Sequence, residues 1–231
     1  FGAPPRDHAE AFRREHWHGV PYEPGPYAAE MEKMLAETGR CILWKNTAFL
    51  QARTEGARLR SLVMDDGREA TADFFIDATA DILLAKKLGC KTSLGQEPRS
   101  LHDEPSAPRG PTDKLNGTTL IYRVARAGEP AIEPLPADIP AVCWWADTFP
   151  IAACTQYPNG DFNINALPIM AGREAHALGF ALAYAECARR IRAHWHHLQT
   201  VFPEFQSFRL AWIAPGLGVR EGSRLVGRYV L

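Results

Sequence analysis

The sequence predicts an α/β fold in two parts. Three observations carry that expectation. β-Prone runs separated by hairpin-type dipeptides fill the first third. A short apolar strand then ends in small residues and an acidic residue before a helix. A second strand-rich stretch leads into one long amphipathic helix.

The elements follow in order. Residues 1–26 are rich in Pro, Gly and His and lack periodicity. A helix is expected over 27–38, with Tyr27, Met31, Met34 and Leu35 on one face, Pro26 near its start and Gly39 as its stop. Strands are expected at Cys41–Trp44, Thr47–Thr54 and Leu59–Met64, with Glu55-Gly56 and Asp66-Gly67 as turns and Arg68–Ala72 continuing the meander. Phe74–Asp77 reads as a short apolar strand, and a helix over 81–88 closes at Gly89 with Asp81 as a possible cap.

Residues 92–114 carry four prolines and read as a linker. Strands resume at Thr118–Val124, Val142–Trp145, Ile151–Gln156 and Phe162–Leu167. A proline-rich loop occupies 126–140, and Asn159-Gly160 is a hairpin turn. A single helix is expected over 173–200, burying Leu178, Leu182, Ala185, Ile191, Trp195 and Leu198. Phe208–Ile213 is the last β-prone run.

Composition narrows the partners. Lys plus Arg is 26 and Asp plus Glu is 27, so the net charge is −1 and neither nucleic acid nor an anionic membrane is expected. No apolar run is long enough for a membrane span. The five cysteines form no Cys-x-x-Cys pair and read as small buried hydrophobes, with a reducing cytoplasm as the expected compartment. The chain begins on Phe1 and ends on an apolar run, which reads as an internal fragment of a longer protein.

The chemistry centres on Asp73-Phe-Phe-Ile-Asp-Ala-Thr-Ala-Asp81. A buried strand that ends in small residues lets backbone approach a ligand closely. This stretch resembles the second FAD-contact region of flavoproteins with two dinucleotide-binding folds. It is most similar to a bacterial FAD-dependent oxidoreductase family with the pattern Ile-Asp-Ala-Thr-Gly-Asp. Gly218-Val-Arg-Glu-Gly-Ser-Arg-Leu-Val-Gly227 resembles that family's Gly-x-Arg-Glu-Ser-Arg-Arg-x-x-Gly segment, and Asn163–Pro168 is a looser match. Ala80 stands where the family has Gly, Gly222 where Ser is usual, and Leu225 in place of an Arg. No Gly-x-Gly-x-x-Gly occurs in the chain.

The resemblance implies a partial Rossmann-like FAD-binding domain with a β-meander over 1–92, lacking its first βαβ unit. It further implies a linker at 93–112, a mixed-sheet substrate-binding domain over 113–213, and a return to the first domain at 214–231. It implies FAD as cofactor, contacted by Thr47 or Ala48 and by Ala78, Thr79, Ala80 and Asp81. It places Arg220, Glu221 and Arg224 near substrate or flavin as catalytic candidates, since a planar guanidinium suits a carboxylate or developing anion. A structural ion-pair network remains the alternative for these three.

The expected function is hydride transfer between a small organic substrate and flavin by the parent enzyme, with the isolated fragment binding FAD weakly and exposing apolar sheet edges. The alternatives are a degenerate, non-catalytic scaffold or binding protein that keeps the fold and, ranked last, a sugar-active enzyme suggested by clustered Trp and acidic residues. His194, His196 and His197 are expected on a solvated helix face, with no metal site. Trp144 and Trp145 read as core aromatics or pocket walls. Asp161, Asn163 and Asn165 share a strand face toward water or a cavity. No Gly-x-Ser-x-Gly supports a hydrolase.

Overall fold

Pro24 supplies the fixed φ of a first turn, and helix α1 runs Pro24–Glu37. This and all that follows comes from a computed structural model that describes residues 22–157 and 159–228. The aperiodic reading of 1–26 therefore lies, up to residue 21, outside the described residues. The chain divides into two units, one up to Thr92 and from Leu225 onward, the other Ser93–Arg224.

In the first unit α1 buries none of its residues. The strand expected at Cys41–Trp44 does not form; the Trp44 ring instead lies 4.1 Å from the Arg68 guanidinium. The meander is present as β1 (Phe49–Glu55), β2 (Arg58–Met64) and β3 (Glu69–Thr71), paired antiparallel in that order. Both turns use glycine at positive φ, 57° at Gly56 and 85° at Gly67. Phe74–Asp77 corrects the sequence reading. Among the described residues it pairs with no strand, and Phe74 and Ile76 are 88% and 90% exposed. A strand needs a neighbour to take its N–H and C=O groups, and an apolar run alone does not supply one. Helix α2 is short, Leu83–Lys87, and buries Leu84 and Ala85.

The second unit holds the core. The expected linker at 93–112 contains a one-turn helix, α3 (Arg99–His102), and is tied across itself by Gln96 and Thr112, which exchange backbone hydrogen bonds. Strands β4 (Thr118–Arg126), β5 (Ile151–Gln156), β6 (Phe162–Met170) and β7 (Phe208–Ile213) form one sheet in the order β5-β6-β4-β7. Every pair is antiparallel, which corrects the mixed sheet expected from the sequence. Alternation puts Leu120, Tyr122, Val124, Ile164 and Ala166 on the buried face.

That face is covered by helices. The single long helix expected is two, α4 (Gly172–Leu178) and α5 (Phe180–Val201). Gly179 at φ 74°, ψ 161° breaks it, in a region only glycine occupies readily. The break also shifts the buried stripe. Leu178 and Leu182 are exposed, while Ala183, Cys187, Ile191, Trp195 and Leu198 pack on the sheet. Arg190 is buried on the same helix and is satisfied by Glu186 at 2.9 Å, Glu174 at 2.5 Å and the Ile169 carbonyl at 3.1 Å.

The proline-rich loop over 126–140 is fixed from this helix. The buried Gln199 accepts the Glu133 N–H at 2.8 Å and donates to the Phe208 carbonyl at 3.0 Å and the Ala131 carbonyl at 3.4 Å. Glu133 in turn accepts the Trp195 indole N–H at 2.5 Å and the Leu210 N–H at 2.8 Å. Val142–Trp145 is not a strand. Its aromatics pack edge to face, and Trp144 and Trp145 lie 5.6 and 5.4 Å from the Arg189 and Arg190 guanidinium groups.

Candidate functional site

In the first unit the Asp77–Asp81 turn is built around Asp77. One carboxylate oxygen accepts the Thr79 hydroxyl at 2.6 Å and the Thr79 N–H at 3.0 Å; the other accepts the Ala85 N–H at 3.0 Å. The Thr79 hydroxyl oxygen then accepts the Leu83 N–H at 2.7 Å. Asp77 and Thr79 therefore cap α2. Asp81, expected in that role, pairs with Lys86 instead. Desolvation works against the Asp77 carboxylate, but the hydrogen bonds from Thr79 and the α2 backbone outweigh it and hold its pKa below the ordinary value.

This turn leaves Ala78, Thr79 and Ala80 exposed in a row, all with small side chains. Ala80 is not at positive φ; the left-handed residue is Ile82, at φ 46°. The conformational reason for glycine at position 80 is therefore absent. Thr47 is held by its side chain, which donates to the Lys45 carbonyl at 2.9 Å and accepts Arg68 at 2.8 Å. Ala48 uses both its backbone groups on Asp65, its N–H to the carboxylate at 3.2 Å and its carbonyl to the Asp65 N–H at 2.9 Å.

In the second unit the 218–224 segment is anchored at both ends. Gly218 and Thr119 exchange backbone hydrogen bonds at 2.7 and 3.1 Å. A Cβ on Gly218 would meet the Thr119 hydroxyl oxygen at 2.3 Å, so glycine is required by this close approach. Arg224 donates to Glu97 at 2.6 Å, bonds the Gly95 carbonyl and lies 3.5 Å from Glu221. Glu221 also accepts the Asn116 N–H at 2.8 Å. Glu97, which further accepts the Ser93 hydroxyl at 2.8 Å, is held at a pKa of about 2 by the Arg224 and Ser93 hydrogen bonds. Glu221 and Arg224 thus belong to one network. Arg220 is exposed, and among the described residues no hydrogen bond or ion pair engages it. Sequence reasoning missed Glu97, because no motif links it to a residue so distant in the chain.

Other candidates resolve differently. His194 is fully buried, not solvated, and sits between Tyr122, whose hydroxyl is 2.9 Å from Nδ1, and the Pro150 carbonyl, 3.3 Å from Nε2. A carbonyl only accepts, so the proton is on Nε2 and the Tyr122 hydroxyl donates to Nδ1. Burial pushes the His194 pKa down to about 4 and Tyr122 well above its usual value. His196 and His197 are half-buried, Nδ1 of His196 lying 2.9 Å from the Glu133 carbonyl and His197 stacking on Phe149. Among the described residues no three His, Cys, Asp or Glu groups converge as a metal shell, and no helix is long and apolar enough to cross a membrane. All five cysteines are free. Only Cys187 is buried, which corrects the reading of the set as buried hydrophobes. Asp161 pairs with Arg123 at 2.8 Å and Asn163 donates to the Tyr157 hydroxyl at 3.1 Å, so this sheet face carries a polar cluster.

Comparison with known proteins completes the picture. The profile of a family described as FAD dependent oxidoreductase matches residues 3–231. No curated protein and no solved structure matches the chain.

Proposed function

The chain belongs to the FAD-dependent oxidoreductase family and FAD is its cofactor; from that premise we propose that it exchanges a hydride between a small organic substrate and the flavin. The observation that carries this reading is the family match across almost the whole chain. Bound FAD supplies the two-electron acceptor or donor.

The residues present fit the cofactor. Ala78, Thr79 and Ala80 are exposed residues with small side chains on a turn that Asp77 fixes, a surface a dinucleotide can lie against. The family resemblance also assigns Thr47 or Ala48 to adenine, and with both Ala48 backbone groups taken by Asp65 the contact falls to Thr47. In the 218–224 segment Arg220 is the group that meets substrate: it is exposed and unengaged among the described residues, and it suits an anionic or carbonyl-bearing molecule. Glu221 and Arg224 are positioning residues in this reading, since both are held by Glu97, Gly95 and Asn116. The non-catalytic alternative rests on the methyl group that Ala80 adds at a close-approach position and on the absent Gly-x-Gly-x-x-Gly; Ala80 itself is not at positive φ.

The test is flavin content. The full-length protein, purified under native conditions, should show the flavin absorbance band at about 450 nm or acquire it on adding FAD. No flavin and no binding of added FAD would overturn the reading. Arg220→Ala should then raise KM for an anionic substrate more than it lowers the rate of flavin reduction at saturation.

A further inference from the structure

A cavity of about 390 Å³ opens between the second half of α5, the strand β5 and the turn that follows the helix. It shares no residue with the 218–224 segment or its hydrogen-bond partners. Its size falls in the range of small-molecule sites. Phe149, Phe202, Phe205, Leu198 and Ala152 make its walls apolar and largely aromatic.

The polar groups are few and their states follow from contacts. His194 spends Nδ1 on the Tyr122 hydroxyl and Nε2 on the Pro150 carbonyl, so it adds no charge. Burial lowers the pKa of both His194 and His197, which favours the neutral ring in each. Cys154, although exposed as a residue, has its thiol partly desolvated by its neighbours, which raises its pKa. The one lining carboxylate is Glu204, on the exposed one-turn helix Pro203–Ser207. No hydrogen bond or ion pair among the described residues engages it. A neutral aromatic hollow with one unpaired carboxylate favours a cation on an apolar body: the rings contribute by cation–π attraction and burial, the carboxylate by charge.

We propose that this cavity binds a small protonated amine carried on an aromatic or branched aliphatic group, with Glu204 receiving the ammonium. The site goes beyond the flavin reading and does not rest on it.

Three probes of similar size test it on the full-length protein, with and without added FAD: benzylamine, benzyl alcohol and benzoate, followed by ligand-observed saturation-transfer NMR and calorimetry. Benzylamine should bind best, about fivefold tighter than benzyl alcohol, with benzoate weakest. Glu204→Gln should bring amine and alcohol level while leaving alcohol binding unchanged, and 0.5 M NaCl should narrow the amine's advantage. Ala152→Leu should weaken all three by filling the hollow. If that variant folds poorly, the Glu204→Gln comparison, at an exposed residue, decides alone. Equal binding of the three probes, an amine preference that survives Glu204→Gln, or no binding by any would overturn the proposal. Because no readout uses the flavin band, loss of the FAD reading would leave these outcomes intact.

Discussion

Replacing Glu97 by Gln tests whether the ion-pair network around Arg224 stabilises the fold. The substitution keeps the side chain's shape and removes its charge. In the folded chain the Arg224 and Ser93 hydrogen bonds bring the Glu97 pKa from 4.5 to about 2. Taken whole, that difference corresponds to about 3 kcal/mol. Glu97 and Arg224 are, however, 31% and 39% exposed, so water screens the pair and about 1 kcal/mol is the expected net. The folded pKa is depressed, so this contribution is fully present above pH 4.5 and is lost as pH falls toward 2. Urea unfolding of wild type and Glu97→Gln should therefore differ by about 1 kcal/mol at pH 7 and by less than half of that at pH 3. Taking the difference between the two proteins removes the titration of every other carboxylate. A gap that stays constant from pH 7 to 3, or none at pH 7, would refute the reasoning.

Three further outcomes follow from particular contacts. Ala80→Gly should leave the FAD dissociation constant within about threefold, since Ala80 has no strained φ to relieve, and a tenfold tightening in a fluorescence titration would contradict that. Tyr122→Phe removes the buried donor to His194 Nδ1 and should cost about 1–2 kcal/mol in chemical denaturation, with His194 remaining neutral by NMR at pH 6. Gly179→Ala should cost about 1–3 kcal/mol, read as a lowered Tm, because its φ and ψ lie where an L side chain is strained.

What could be read from the sequence was what is local. Glu55-Gly56, Asp66-Gly67 and Asn159-Gly160 announce hairpins because positive φ selects those residues, and all three glycines adopt it. The β-prone runs at Thr118–Val124 and Phe162–Leu167 announced β4 and β6, and the alternation of Asn163 and Asn165 marked one face of β6. What escaped was partnership. Phe74–Asp77 has the composition of a strand and no neighbour among the described residues. Val142–Trp145 is equally apolar, yet stacking on Arg189 and Arg190 takes the place of a ladder. His194 looked solvated because its neighbours His196 and His197 suggested a polar face, while its spacing from Ile191 and Leu198 puts it on the buried stripe. At the candidate site, Asp77 was visible as part of a motif but not as its organiser, and Glu97 lies 127 residues from the Arg224 it holds.

The Gln199 amide has a consequence for how the chain meets proteases. A segment with four prolines and no regular structure reads, by composition, as a place where a protease would cut. Here one helix side chain grips it at Ala131 and Glu133, and Glu133 grips the helix and β7 in return. Freeing the loop at Ala131 and Glu133 therefore requires these contacts with the end of α5 to break. Digestion at 126–140 would report unfolding of the helical layer itself, so a strand connector serves as a built-in gauge of core integrity.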